Sequence, residues 1–208
     1  MNYWVVLGSI LAVHVLAIIS PGPNVLIVTQ TAISRTRRAG VFTALGIATG
    51  AAVWSSAALL GLNVLFAHFG WLYTGVKLLG GMYLLYLGIK LWRTADQPLG
   101  SSVRHGATAR TDGQAFRLGL LTNLTNPKAA IFYGSVFAAL LTPDLPAWVN
   151  VAAVGVIVVN SVAWHVALAC LFSTRRAQQV YGRIKRWIDR FAGTVLALLG
   201  VRLILQSR

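Results

Sequence analysis

Ser20-Pro21-Gly22-Pro23-Asn24 interrupts an apolar run that begins near Tyr3 and lasts to about Ile33. Two prolines and a glycine cannot continue an α-helix, because each proline removes a backbone donor and its ring clashes with the carbonyl one turn back. In hydrocarbon no water satisfies the freed groups, so such a break persists only where protein buries it or where it lines a wet cavity. A second break, Asn126-Pro127-Lys128, interrupts a second apolar run, and Pro23 and Pro127 lie 104 residues apart in a chain of 208. Broken helices at matching places in two halves mark a solute site between discontinuous membrane helices.

The composition agrees with a membrane setting. The chain is 57% hydrophobic and 11% charged, with a mean hydropathy of +0.70, whereas a soluble domain carries about 25% charged residues. Met1-Asn2-Tyr3-Trp4 lacks a basic leader region, so the first apolar run is expected to remain as a span rather than to be cleaved. The formal charge of +14 would suit nucleic acid, but its distribution excludes that use. Of 18 Lys and Arg, 14 fall in three connections or at their edges: Arg35 to Arg38, Lys90 to Arg117 and Arg175 to Arg190. The alternating connections, Ala67 to Gly70 and Thr142 to Trp148, have none. This is the positive-inside pattern of six spans with both termini outside.

The six spans are expected near 3–33, 41–66, 70–93, 115–141, 147–172 and 188–206, each about the 20 residues a bilayer requires. Residues 94–114 read as a cytoplasmic linker, and 174–190 as a basic amphipathic helix at the lipid surface. The halves repeat. Trp54-Ser55 matches Trp164-His165, and Gly81 with Gly88-Ile89-Lys90 matches Gly193 with Gly200-Val201-Arg202. Three spans is an odd number, so the second half enters the membrane upside down. The expected architecture is therefore an all-α membrane protein of six transmembrane helices in two inverted three-helix repeats, with helices one and four broken. It forms a single domain over 1–208, with repeat one at 1–93, the linker at 94–114 and repeat two at 115–208.

The chain has no Glu and four Asp: Asp96 and Asp112 in the linker, Asp144 in an outer turn, and Asp189 at the start of span six. No set of carboxylates, thiolates or imidazoles converges, so neither a metal nor another cofactor is expected. Cys170 stands alone, which excludes an intramolecular disulfide. No nucleophile–base arrangement is present, so an enzyme is not expected. What remains is two helix starts and a few polar groups. Asn24 follows Pro23, and Asn126-Pro127 is a capping residue followed by proline in the first helical position. Both starts are expected to present backbone N–H groups, which bind carboxylates. The predicted substrate-binding set is Pro21, Gly22, Pro23, Asn24, Asn123, Asn126, Pro127 and Lys128, with Lys128 supplying a full positive charge inside the membrane. His14 and His165 are the candidates for carrying a proton.

With its two proline breaks, and with Tyr83-Leu84-Leu85-Tyr86-Leu87-Gly88 in span three, the chain resembles the LysE/RhtB family of amino-acid exporters along essentially its whole length. Tyr133-Gly134-Ser135-Val136-Phe137 and Lys185 to Gly193 are most similar to the branch that exports threonine. The resemblance implies a multi-pass permease of the bacterial inner membrane that exports threonine or homoserine and is driven by the proton gradient. Many relatives carry Asp where this chain has Asn24. The partners expected are a small amino acid and membrane lipid, and a homo-oligomer is compatible with both. A membrane-embedded enzyme or redox relay on a similar fold, or an exporter of another small metabolite or cation, is the alternative.

Overall fold

The computed structural model describes residues 2–20, 22–68, 70–97, 111–142, 144–172 and 175–205, with backbone alone described at 62–68, 70–74, 76, 77, 127, 175–178 and 181. Pro21 and most of the linker therefore lie outside the described residues. Eight helices and no strand occur among those described. They are α1 (Tyr3–Ile19), α2 (Pro23–Ser34), α3 (Arg37–His68), α4 (Gly70–Thr94), α5 (Asp112–Leu124), α6 (Pro127–Leu140), α7 (Ala147–Leu171) and α8 (Arg175–Leu205). Both expected breaks are present. α1 and α2 meet at a 58° bend, and α5 stops at Thr125 before α6 restarts behind Pro127.

Two helices are by themselves long and apolar enough to cross a membrane, α3 over Arg37–Gly61 and α7, and the bent α1–α2 pair makes a third. α5 and α6 are short, with 13 and 14 residues, and α4 and α8 carry charged residues along part of their length. The stretch 174–190, expected as a separate surface helix, is continuous with the following span in α8. No proline interrupts it, and a glycine inside a helix costs only about 1 kcal/mol. Many large apolar side chains face outward, Val159 at 70% and Val151 at 69% exposure among them. An exterior with this many large apolar side chains is suited to hydrocarbon rather than water.

The packing crosses between the halves. α1 lies parallel on α7, with Tyr3 edge-on to Trp148 at 5.6 Å at one end. α5 lies along α3, where a Cβ on Gly46 would strike the Phe116 carbonyl and one on Gly119 the Thr43 carbonyl. α4 and α8 cross with two reciprocal glycine contacts. A Cβ on Gly88 would come 2.5 Å from the Gly193 carbonyl, and one on Gly200 2.5 Å from the Gly81 carbonyl. Only hydrogen in place of a side chain lets backbones approach this closely. The glycines that marked the sequence repeat are thus the ones that touch. One core gathers around Ile10, Leu84, Phe137 and Ile157, a second around Val28, Ile47 and Leu168.

Candidate functional site

A cavity of about 50 Å³ opens where the two cores meet, several times the space one water needs. Residues of α1, α2, α6 and α7 line it together with the two breaks: His14, Ala17, Ile18, Ser20, Gly22, Pro23, Asn24, Val25, Asn126, Lys128, Ala129, Phe132, Tyr133 and His165. Of the residues the sequence singles out, the structure brings together Gly22, Pro23, Asn24, Asn126, Lys128, His14 and His165. Asn123 is not among them. It is buried against α3, where a Cβ on Gly50 would sit 2.7 Å from its Oδ1, and its carbonyl accepts from Trp54 Nε1 at 3.3 Å. The Pro127 side chain and Pro21 lie outside the described residues.

The first break leaves its helix end open. Gly22 is the residue before α2, it is extended, and it has no side chain to cap the helix. Pro23 has no N–H, and the first backbone bond of the helix runs from Leu26 N to Gly22 O at 3.0 Å. The N–H groups of Asn24 and Val25 therefore meet no acceptor within the helix. The Asn24 side chain adds a buried Oδ1 with no hydrogen-bond partner among the described residues.

The second break is capped. Asn126 Oδ1 accepts from Lys128 N at 3.0 Å, and the Asn126 carbonyl accepts from Ala129 N at 2.9 Å. The expectation that both helix starts offer unsatisfied N–H groups thus fails here, because the capping residue uses one of them itself. What α6 contributes is charge. Lys128 is partly buried, and its Nζ makes no ion pair or hydrogen bond with any described residue. It lies 3.8 Å from where a Cβ on Gly22 would sit, so the ammonium of the second break stands against the backbone of the first.

The histidines differ in their bonding. Asn160 Nδ2 donates to His14 Nδ1 at 2.9 Å, which leaves the hydrogen on Nε2, 3.2 Å from the Tyr133 hydroxyl oxygen. Both ring nitrogens of His14 are thereby engaged. His165 Nδ1 donates to the Ser161 carbonyl at 2.8 Å, one turn back on α7. Its Nε2 is left as an acceptor without a partner among the described residues. Among the described residues no three His, Cys, Asp or Glu side chains gather as metal ligands do.

Sequence reasoning missed Tyr133, Asn160 and Ser20, whose roles depend on neighbours far along the chain. It also missed a buried ion pair, Lys185 Nζ to Asp189 Oδ2 at 2.8 Å. A signal for that pair existed: opposite charges four residues apart on one helix face each other. Asp189 faces Lys185 and Ser20 rather than the neighbouring arginines.

The LysE type translocator family matches residues 15–207. The chain is 38% identical to a threonine efflux protein of Salmonella typhi over 95% of its own length and 97% of that protein. It is 36% identical to a threonine efflux protein of Escherichia coli K12 over the same shares. It is 34% identical to a leucine efflux protein of Salmonella choleraesuis, covering 70% of this chain and 66% of that one. These relatives are named as transporters rather than as enzymes. No solved structure matches the chain.

Proposed function

The chain belongs to the LysE type translocator family, and from that premise we propose that it is a multi-pass inner-membrane exporter of small neutral amino acids, with threonine and homoserine the first substrates to test. The observation that carries this reading is the pairing of groups around the cavity. On one side stand an unpaired ammonium, Lys128 Nζ, and the open N-terminus of α2. Available as acceptors are Asn24 Oδ1 and His165 Nε2. An α-carboxylate fits the first set and an α-ammonium the second. Ala17, Ile18, Ala129 and Phe132 offer a small apolar wall for a short side chain. A cationic side chain would find no carboxylate in the lining.

The architecture that serves this function is six spans in two inverted repeats, with the arginine-rich connections cytoplasmic and the linker joining the repeats in one domain. Its supports are the sequence repeat, the reciprocal Gly81–Gly200 and Gly88–Gly193 contacts, and the way each half's broken helix lies on a long helix of the other half.

Counterflow of labelled threonine into vesicles holding purified protein tests the function. Unlabelled threonine and homoserine should compete, while threonine amide, which lacks the carboxylate, should compete poorly. Equal competition by the amide would exclude a carboxylate seat at Lys128.

A further inference from the structure

Asp189 is the one buried carboxylate among the described residues. Its side chain is 1% exposed, against 62% for Asp96 and 37% for Asp112, while Asp144 lies exposed in a turn, and the chain has no Glu. A buried ionisable group among the helices of a membrane protein is a candidate functional group. Both of its oxygens are occupied. Oδ2 accepts from Lys185 Nζ at 2.8 Å, and Oδ1 accepts from Ser20 Oγ at 3.0 Å. Ser20 ends α1 at the first break and lines the substrate cavity. Asp189 is thus one hydroxyl away from that cavity.

Lys185 has a further feature. Besides Asp189 it donates to the Thr94 carbonyl at 3.0 Å and the Ala95 carbonyl at 3.3 Å, at the end of α4. Three donors meet three acceptors. A buried pair normally cannot lose one partner without leaving an uncompensated charge. Here the ammonium would keep two carbonyls and the negative end of a helix dipole if the pair opened. The other charged group facing Asp189 is Lys128 on α6, within electrostatic reach, with Lys90 of α4 in reach of Lys128 in turn. From the end of α1 the Ser20 hydroxyl reaches it.

We propose that Asp189 is the proton-exchanging group of the transport cycle and that Ser20 ties its protonation to the broken first span. In the conformation described each oxygen accepts one hydrogen bond, so both donors engage the charged carboxylate. Uptake goes with withdrawal of Lys185 or Ser20, and Ser20 is carried by the α1–α2 break. A proton from the outer side then converts the carboxylate to the acid, and return of both partners expels it to the cytoplasm. One proton enters per cycle and no electrons move. This inference rests on the exporter reading.

The test uses the full chain in vesicles with a pH-sensitive dye in the lumen. Wild type should accumulate labelled threonine along a pH gradient and should move protons when threonine moves. Asp189→Asn should lose gradient-driven accumulation and the dye signal while keeping threonine counterflow at equal pH. Lys185→Met/Asp189→Asn, which removes the charge of both partners, repeats the measurement if the single variant fails to insert. Gradient-driven accumulation that survives in either variant overturns the proposal. So does loss of counterflow together with gradient drive in the inserted double variant, which would make the pair a structural staple. Wild-type transport without proton movement also overturns it and leaves the exporter standing, whereas a wild type that moves neither threonine nor homoserine removes both.

Discussion

The two helix breaks look interchangeable in sequence and are not. At Gly22-Pro23-Asn24 the residue before the helix has no side chain, so the N–H groups of Asn24 and Val25 stay open and Asn24 keeps a buried oxygen unpaired. At Asn126-Pro127-Lys128 the capping side chain turns back on its own helix and takes the Lys128 N–H. The first end offers uncommitted neutral hydrogen-bonding groups. The second is locally satisfied and delivers a charge. A repeated motif therefore fixes where two helices start, while a single side chain at the capping position decides whether the helix end is available to a ligand.

The largest effect should come from removing the charge that distinguishes the second break. Lys128→Met keeps length and deletes the ammonium. A hydrogen bond to a charged group is worth about 1.5–3 kcal/mol, so threonine affinity in competition assays should fall roughly ten- to a hundredfold. Lys128→Arg should rescue little, because a planar fork does not replace a point charge. Threonine amide should be nearly indifferent to Lys128→Met. If the Met variant inserts correctly and binds threonine as tightly as the wild type, the carboxylate seat lies elsewhere.

A smaller effect should follow from making the first break resemble the second. Gly22 is extended, and a Cβ there meets nothing nearer than Lys128 Nζ at 3.8 Å, so Gly22→Ser fits. Its hydroxyl would cap α2 and compete for the N–H groups offered to substrate. One neutral hydrogen bond is worth about 0.5–1.5 kcal/mol, so affinity should drop about two- to tenfold, with a slight gain in thermal stability. Unchanged affinity would mean that the open end of α2 is not part of the seat.

Smallest on binding should be the reverse change at the second break. Asn126→Ala removes the cap and should lower stability by about 1 kcal/mol, read as an earlier unfolding transition in detergent. Threonine affinity should move much less than in Lys128→Met, since the ammonium remains. An equal loss would place the Asn126 side chain in contact with the substrate.

Much of the fold was legible because its causes are local. Pro23 and Pro127 interrupt helices whatever surrounds them, and Gly81, Gly88, Gly193 and Gly200 marked the internal repeat, though not which pairs would meet. Lys128 stood out as a lone charge in an apolar run. The division of labour between the histidines was not legible. It depends on Asn160 and Tyr133 reaching His14, across 146 and 119 residues of chain. Asp189 stands between Arg186 and Arg190 in the sequence, and it is Ser20, 169 residues away, that connects it to the cavity.

The sequence by itself determined where the helices stop, which connections carry positive charge and where the one cation enters a break, since backbone sterics and charge placement act between near neighbours in the chain. Tertiary structure alone decided which donors and acceptors are left over. Each polar group in a membrane interior takes whatever partner the packed helices bring to it, and among the described residues that line the cavity Lys128 Nζ, Asn24 Oδ1 and His165 Nε2 are left without one.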